Sequence, residues 1–84
     1  MQKHLKADNL QKKFGEIIRS RRQALGISQE ELAERCDLHR NYISEIERGL
    51  KSASLRTIVL IALALGCHPH ILIQEAEEIL EDNS

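Results

Sequence analysis

The stretch that decides the fold is Gln29 to Arg48, QEELAERCDLHRNYISEIER, which reads as two short helices joined by a turn. Each helix carries one apolar stripe, formed by Leu32, Ala33 and Cys36 in the first helix and by Leu38, Ile43 and Ile46 in the second. At about 100° per residue, the polar side chains of the second helix fall within roughly 140° of arc on the opposite side. These side chains are Arg40, Asn41, Ser44, Glu45 and Arg48. A helix pair that is anchored by one face and presents Arg, Asn and Ser on the other suits reading of the DNA major groove.

Capping residues mark the ends of these two helices and of their neighbours. Ser28 followed by Glu31 is a capping-box pattern, and Asp37 tolerates the left-handed backbone that the turn requires. Helix stops are predicted at Gly26, Gly49 and Gly66. A polar and flexible tail is expected over residues 1–8, followed by one helical domain over residues 9–84. Its helices are predicted at about 9–25, 29–36, 40–48, 55–65 and 69–81.

Length and composition restrict the class of protein. The chain has 84 residues with one Pro, four Gly and 2% aromatic residues, which is typical of a single all-α domain. No stretch approaches the ~20 apolar residues of a membrane span, and the N-terminus lacks the apolar core of a secretory signal. A cytoplasmic protein without a membrane partner is therefore expected, with Cys36 and Cys67 as reduced thiols.

The net charge of −1 conceals an uneven distribution along the chain. Residues 1–51 hold 11 Lys and Arg against 8 Asp and Glu, a balance of +3. Residues 52–84 hold one Arg against 5 Asp and Glu, a balance of −4. Such a division is compatible with ordinary surface charge, but it also fits an N-terminal half that faces a polyanion.

Two segments carry a family resemblance: LGISQEELA at 25–33 and YISEIERG at 42–49, with Arg19 and Arg22 in the helix before them. Together they resemble the phage-repressor/Cro-like, XRE-type helix-turn-helix family over about residues 10–66. The resemblance implies an all-α, five-helix, repressor-like DNA-binding domain. Helices 2 and 3 of such a domain form the helix-turn-helix, and helix 3 enters the major groove.

Within that family, the segment LHRNYIS at 38–44 and the short last helix are most similar to the controller proteins of restriction–modification systems. Three positions depart from the family pattern. Asp37 stands where Gly is usual, Ala53 where Pro is usual, and Arg21 at a position on helix 1 that is more often apolar. None of the three changes the expected fold.

Four residues are predicted to read bases. Arg40 is the strongest candidate, because bidentate hydrogen bonds from Arg to guanine are worth about 1–3 kcal/mol of discrimination. The alternative for Arg40 is a contact with phosphate or solvent. Asn41 and Ser44 can reach either bases or phosphates. Glu45 can accept a hydrogen bond from cytosine N4, or it can hold Arg40 or Arg48 in place.

A second set of residues is predicted to contact phosphates: Ser28, Gln29, Tyr42, Arg48 and Lys51. Gln29 lies at a helix N-terminus, where unpaired amides and the helix dipole favour an anion. The resemblance gives the matching Gln a backbone-contact role as well. It also pairs Arg22 with Glu47 as a structural salt bridge between helices 1 and 3.

Helix 5 is the predicted dimer interface, because its apolar residues exceed what a small core needs. The interface residues are expected to be Ile71, Leu72, Glu75, Ile79 and Leu80. The alternative is a helix that folds back on its own core. The sequence thus predicts a homodimeric, sequence-specific transcriptional regulator on a two-half-site DNA operator, with RNA polymerase as a candidate partner. An antitoxin-type protein-interaction module and a phage-type repressor are the competing functions.

Neither metal binding nor catalysis is predicted. Cys67-His68-Pro69-His70 brings ligand-type residues together, but no other cysteine or histidine stands at a recognisable ligand spacing. The sequence contains no nucleophile–base motif and no Gly-rich phosphate loop. No cofactor is expected, and an enzyme is not indicated.

Overall fold

The computed structural model describes residues 2–82 of the chain, and side chains within residues 3–81. Five helices follow one another, and no strand occurs within the described residues. The helices are α1 (Gln2–Ala24), α2 (Gln29–Cys36), α3 (Arg40–Glu47), α4 (Leu55–Leu65) and α5 (Pro69–Asp82). The predicted all-α class is confirmed, and the bounds of α2 to α5 agree with the sequence prediction to within one residue.

The helix-turn-helix owes its sharp ends to local capping. Ser28 Oγ accepts a hydrogen bond from the Glu31 amide at 3.0 Å and begins α2. Asp37 ends α2 in the left-handed region at φ 55°, as predicted for this turn. His39 begins α3, because its Nδ1 accepts from the Asn41 amide at 3.1 Å. Only half of the predicted capping box forms, since the Glu31 carboxylate pairs with Arg35 at 3.0 Å rather than with the cap.

Helix α1 differs from the prediction at both ends. It begins at Gln2, so residues 2–8 form helix rather than a tail. This segment is rich in helix-forming residues, and it lies beside the end of α5, where Leu5 and Leu80 line a shared groove. The helix ends at Ala24, and Leu25 is 51% exposed. The sequence predicts a helix that runs to about residue 25, and the structure ends it one residue earlier because the chain already turns at Leu25.

One hydrophobic core joins all five helices. Helix α1 packs along α5 and against α3, while α2 contacts α3 and α4, and α4 contacts α5. The most deeply buried large side chains come from every helix, namely Ile18, Leu32, Ile43, Ile46, Ile61 and Leu72. Because Ile43 and Ile46 are fixed in this core, the opposite face of α3 is turned away from it.

Helix α1 comes very close to α3 where it crosses the end of that helix. A Cβ atom at Gly15 would lie 2.2 Å from the Ile46 carbonyl oxygen and 2.7 Å from that of Glu47. Only glycine allows this approach, so Gly15 sets the distance between the two helices.

No single helix within residues 2–82 combines the length and apolarity needed to span a membrane. Helices α4 and α5 pass that test only when taken together, and they meet at an angle of 98°.

Candidate nucleic-acid interface

The outer face of α3 holds the predicted base-reading residues. Arg40 and Asn41 are exposed, while Ser44 and Glu45 are half-buried. Ile43 and Ile46, at most 1% exposed, lie on the opposite side in the core. The structure therefore places the four predicted readers together on the side of α3 that faces away from the core.

Glu45 is held differently from the sequence prediction. Its Oε1 lies 3.5 Å from Nζ of Lys51, a residue of the loop after α3. Neither Arg40 nor Arg48 pairs with it among the described residues, and Arg48 Nε instead donates to the Ser44 carbonyl oxygen at 3.3 Å. Of the two alternatives for Glu45, a contact with Arg40 or Arg48 does not form among the described residues, because the turn at Gly49 brings Lys51 back beside α3. Lys51 partly neutralises the carboxylate that would otherwise oppose a phosphate backbone.

A buried ion pair connects α3 to α1. Arg22 Nε donates to Glu47 Oε2 at 2.7 Å, and Arg22 Nη2 donates to Glu47 Oε1 at 3.0 Å. The remaining guanidinium nitrogen, Nη1, donates to the Ile27 carbonyl oxygen at 2.8 Å. The side chains are only 11% and 2% exposed. The structure brings Arg22 and Glu47 together as the family resemblance implied.

The electrostatics of this pair favour a permanent charge. The hydrogen bond to Glu47 raises the pKa of Arg22 above its ordinary value, and this effect outweighs the lowering by burial. Because the Arg22 guanidinium is charged at any physiological pH, it connects α1 to α3 permanently and does not act as a pH switch.

Gln29 joins the same network. Its Nε2 donates to Glu47 Oε1 at 3.0 Å, which fixes the side-chain amide at the start of α2. An amide nitrogen carries two hydrogens, so this bond leaves one of them for a phosphate oxygen. Sequence reasoning placed Gln29 at the helix N-terminus but missed its bond to Glu47. The pairing could have been found only by knowing how α1 and α2 sit on α3.

An open depression connects the predicted readers with the predicted phosphate contacts. It has a volume of about 370 Å³ and is lined by Arg22, Ser28, Gln29, Glu30 and Arg40. The exposed start of α3 and the N-terminus of α2 therefore share one surface. Such a surface can present a guanidinium to a base edge and backbone amides to the neighbouring phosphate.

The other predicted phosphate contacts lie around this surface. Tyr42 is half-buried, and its hydroxyl donates to the Ser52 carbonyl oxygen at 3.4 Å, which links α3 to the following loop. Arg48 and Lys51 are exposed at the end of α3. The candidate interface thus extends from the start of α2, across α3, to the loop before α4.

The predicted dimer residues on α5 are largely used inside the chain. Leu72 is fully buried, and Glu75 forms a two-bond pair with Arg21 at 2.8 and 2.9 Å. Ile71, Ile79 and Leu80 are half-buried, and Ile79 packs on the core. Leu72 has no exposed surface left for a partner, because the long helix α1 covers this face of α5.

Exposed apolar residues occur instead on α4. Leu55, Val59 and Leu63 are 76%, 37% and 69% exposed, and their spacing of four residues places them in one row. The opposite side of α4 is buried at Ile61 and Leu65. Helix α4 therefore carries an apolar surface that the described residues leave uncovered.

The cysteines and histidines form no metal site in the part of the chain whose side chains are described. The rings of His68 and His70 stack at 5.6 Å. Cys36 is buried, donates to the Leu60 carbonyl oxygen at 3.6 Å, and has a pKa raised by burial. Cys36 and Cys67 are both free thiols.

Comparison with known proteins connects this geometry to a family. A family model described as helix-turn-helix matches residues 18–72. Control protein C.BamHI from Bacillus amyloliquefaciens is 46% identical over 67 residues, covering 79% of this chain and 83% of that protein. Control protein C.SmaI from Serratia marcescens is 42% identical over 53 residues, covering 63% of each chain.

Solved structures agree with the sequence relatives. The restriction-modification controller protein C.AhdI from Aeromonas hydrophila matches with a TM-score of 0.71 and 43% identity, over 73% of this chain and 92% of that one. The clp gene regulator ClgR from Corynebacterium glutamicum matches with a TM-score of 0.84 and 31% identity, over 88% of this chain and 79% of that one. The chain therefore belongs to the XRE-type helix-turn-helix family of DNA-binding transcriptional regulators.

Proposed function

We propose that the chain acts as a homodimer on a DNA operator with two half-sites and controls the genes of a restriction–modification system. The observation that carries the proposal is the buried Arg22–Glu47–Gln29 network, which fixes α3 with Arg40 outward beside the N-terminus of α2. The similarity to control proteins C.BamHI and C.SmaI supports the restriction–modification assignment.

Base reading is assigned to the outer face of α3. Arg40 and Asn41 are exposed there and make no side-chain hydrogen bond within the described residues, so both are available for base edges. Ser44 is half-buried and has a short reach, which suits a base or phosphate lying close to the helix. Glu45, held by Lys51, is positioned to accept from a cytosine amino group.

Phosphate contacts are assigned to the rim of this face. Ser28 and Gln29 lie at the N-terminus of α2, where amides and the helix dipole attract an anion. Tyr42, Arg48 and Lys51 border the other side. These contacts would fix the register of α3 on the duplex without carrying sequence information.

We assign dimerisation to the row Leu55, Val59 and Leu63 on α4 rather than to the centre of α5. The three side chains of the row are apolar, and the exposed Arg56 lies beside them on α4, so a second copy related by two-fold symmetry can cover the row while that guanidinium stays in solvent at its edge. Burial of a leucine side chain contributes about 1.5–3 kcal/mol. A dimer then sets two α3 helices in successive major grooves, roughly 34 Å apart.

Selection from a pool of random DNA duplexes tests the recognition mechanism. The expected product is a two-fold symmetric sequence whose half-sites lie about one helical turn apart. Recovery of a single asymmetric site, or of no preferred sequence, would contradict the two-half-site mechanism. Transcription from a promoter that carries the selected site, measured with and without the protein, then decides between exclusion and recruitment of RNA polymerase.

Sedimentation at micromolar concentration tests the dimer. Leu63→Asp should give monomers, because it places a charge within an apolar interface. Leu25→Asp is the matched control, since Leu25 is also half-exposed but lies outside the α4 row. If Leu63→Asp sediments like the unmutated dimer, the interface lies elsewhere.

Genome context tests the biological assignment separately. A methyltransferase and an endonuclease encoded next to the chain are expected. A toxin gene or a set of phage genes in their place would favour an antitoxin or a phage-type repressor.

A further inference from the structure

Lys12 lies beside the turn that follows α3, although it belongs to α1. A Cβ atom at Gly49 would come within 2.8 Å of Lys12 Cγ and 3.0 Å of Lys12 Cα. The preceding residue, Gln11, donates from Nε2 to the Gly49 carbonyl oxygen at 2.9 Å. Two independent contacts thus hold this turn of α1 against the end of α3.

The backbone at Gly49 is what makes this contact possible. Gly49 adopts φ +74°, a region that L side chains rarely occupy, and it is buried although the neighbouring Arg48 and Leu50 are exposed. One helical turn further along α1, Gly15 allows an even closer approach to Ile46 and Glu47. The backbone and the start of the side chain of Lys12 are therefore fixed relative to α3, and only the end of the side chain is left to move.

The charge of Lys12 is not used within the described fold. Its side chain is exposed, and no carboxylate of the described residues comes within ion-pair distance of its ammonium group. The next residue differs, since Lys13 Nζ pairs with Glu16 at 3.4 Å. Lys51, in the loop after α3, is engaged with Glu45 at 3.5 Å. Lys12 is thus a cation without an ion-pair partner among the described residues, and it lies beside the end of α3.

The position of the end of α3 indicates which anion lies within reach of Lys12. An eight-residue helix is about 12 Å long, which is also about the width of the major groove. When such a helix occupies the groove, its end and the turn after it approach the phosphates that border the groove. Lys12 adds to that turn a positive charge that comes from a different helix.

We propose that Lys12 binds a DNA backbone phosphate at the edge of the half-site, so that α1 supplies an anchor in addition to the helix-turn-helix. The inference rests on the proposed function, since it requires α3 to sit in the major groove. Because a phosphate carries no base identity, Lys12 contributes to affinity on every sequence and to discrimination on none.

The test is the salt dependence of binding by Lys12→Gln to a duplex of random sequence and to the selected operator. Each lost phosphate contact reduces the slope of log affinity against log salt by about 0.9, or by about 1.8 for a dimer. Raising the salt from 50 mM to 200 mM lowers the affinity of the unmutated dimer by some factor. For dimeric Lys12→Gln, that factor should be about twelve-fold smaller. Both duplexes should lose affinity by the same factor, and Lys12→Arg should retain the slope.

Lys6→Gln is the matched control. Lys6 is also exposed on α1, but it lines the groove beside Glu77 and Glu81 of α5 and not the end of α3. Its slope should stay near that of the unmutated protein. An equal change in Lys6→Gln and Lys12→Gln would show a general charge effect and overturn the proposal, as would an unchanged slope in Lys12→Gln.

The two proposals fail in different ways. If the unmutated protein binds no duplex with salt-dependent affinity, the proposed function fails and the role of Lys12 fails with it. If the unmutated protein binds its operator and Lys12→Gln binds identically at every salt concentration, only the role of Lys12 is refuted. The melting temperature of Lys12→Gln should equal that of the unmutated protein, because glutamine keeps the part of the stem that packs on Gly49.

Discussion

Replacement of Arg22 by alanine should destabilise the protein severely, without changing any residue on the outer face of α3. The change deletes three hydrogen bonds, two to Glu47 and one to the Ile27 carbonyl oxygen. It leaves the Glu47 carboxylate, 2% exposed, with the amide of Gln29 as its remaining donor among the described residues.

The expected magnitude follows from that burial. Removing one partner of a buried ion pair costs about 3–5 kcal/mol, because an uncompensated charge remains. Arg22 retains 11% exposure, so we expect the lower end of this range, about 3 kcal/mol. A domain of this size has a total stability of about 4–13 kcal/mol, and each kcal/mol shifts its melting temperature by about 4–8 °C. The melting temperature should therefore fall by about 12–24 °C.

Urea unfolding followed by circular dichroism measures this loss. Arg35→Ala is the matched control, because it removes the same side chain from an exposed pair with Glu31, with 45% and 49% exposure. Its cost should stay below about 0.5 kcal/mol. The double variant Arg22→Met with Glu47→Met should recover much of the loss, since neither charge is then left unpaired. If Arg22→Ala costs no more than Arg35→Ala, the pair does not hold α3 in place.

Three further substitutions test other parts of the structure. Arg40→Ala should lose discrimination at one base pair per half-site, and on a panel of single-base operator variants an equal loss at every variant would make Arg40 a phosphate contact instead. Gln29→Ala should weaken all operators by a similar factor and lower the unfolding free energy by about 1 kcal/mol, since it removes one bond to Glu47; a base-specific effect would contradict the anchoring role. Gly15→Ala should lower the melting temperature strongly, because its Cβ would meet the Ile46 carbonyl oxygen, and an unchanged melting curve would show that α1 and α3 separate without cost.

Local chemistry allowed much of the helix-turn-helix to be predicted. Ser28 and Asp37 fix the ends of α2 by capping and by a left-handed turn, and both act within a few residues of chain. The orientation of α3 follows from the spacing of Ile43 and Ile46, since a helix with two deeply buried isoleucines can turn only one face outward. Such features depend on neighbouring residues, so a single sequence contains them.

Features that depend on how separate helices meet could not be predicted from residue spacing, and the Arg22–Glu47 pair was expected only from the family resemblance. The apolar residues of α5 pointed correctly to a packed face, but spacing alone does not say whether the partner is a second chain or the helix α1 of the same chain. Helix α4 contained the better signal. Apart from Arg56 and Thr57 it is apolar, with Ile61 buried and Leu63 exposed on different sides, and such a helix has more apolar surface than one core can cover.

The start of α1 was missed for a related reason. Residues 2–8 lack a regular apolar stripe, so only their helix propensity indicates a helix there. The pairing of Glu45 with Lys51 required the path of the loop, which begins with the positive φ of Gly49. Neither property can be read from side-chain spacing.

The Arg22–Glu47 ion pair and the outer face of α3 use different residues, and this affects how the protein can evolve. Within the described part of the chain, the side chains of Arg40 and Asn41 hold nothing in place, whereas Glu47 on the same helix is locked to two other helices. Under the proposed base-reading role, mutations at positions 40 and 41 are expected to alter the preferred operator at little cost in folding. New operator preferences can be explored by single substitutions, whereas a change at Arg22 or Glu47 requires a compensating change at the other residue. The same division offers an engineer two positions to randomise and two to leave untouched.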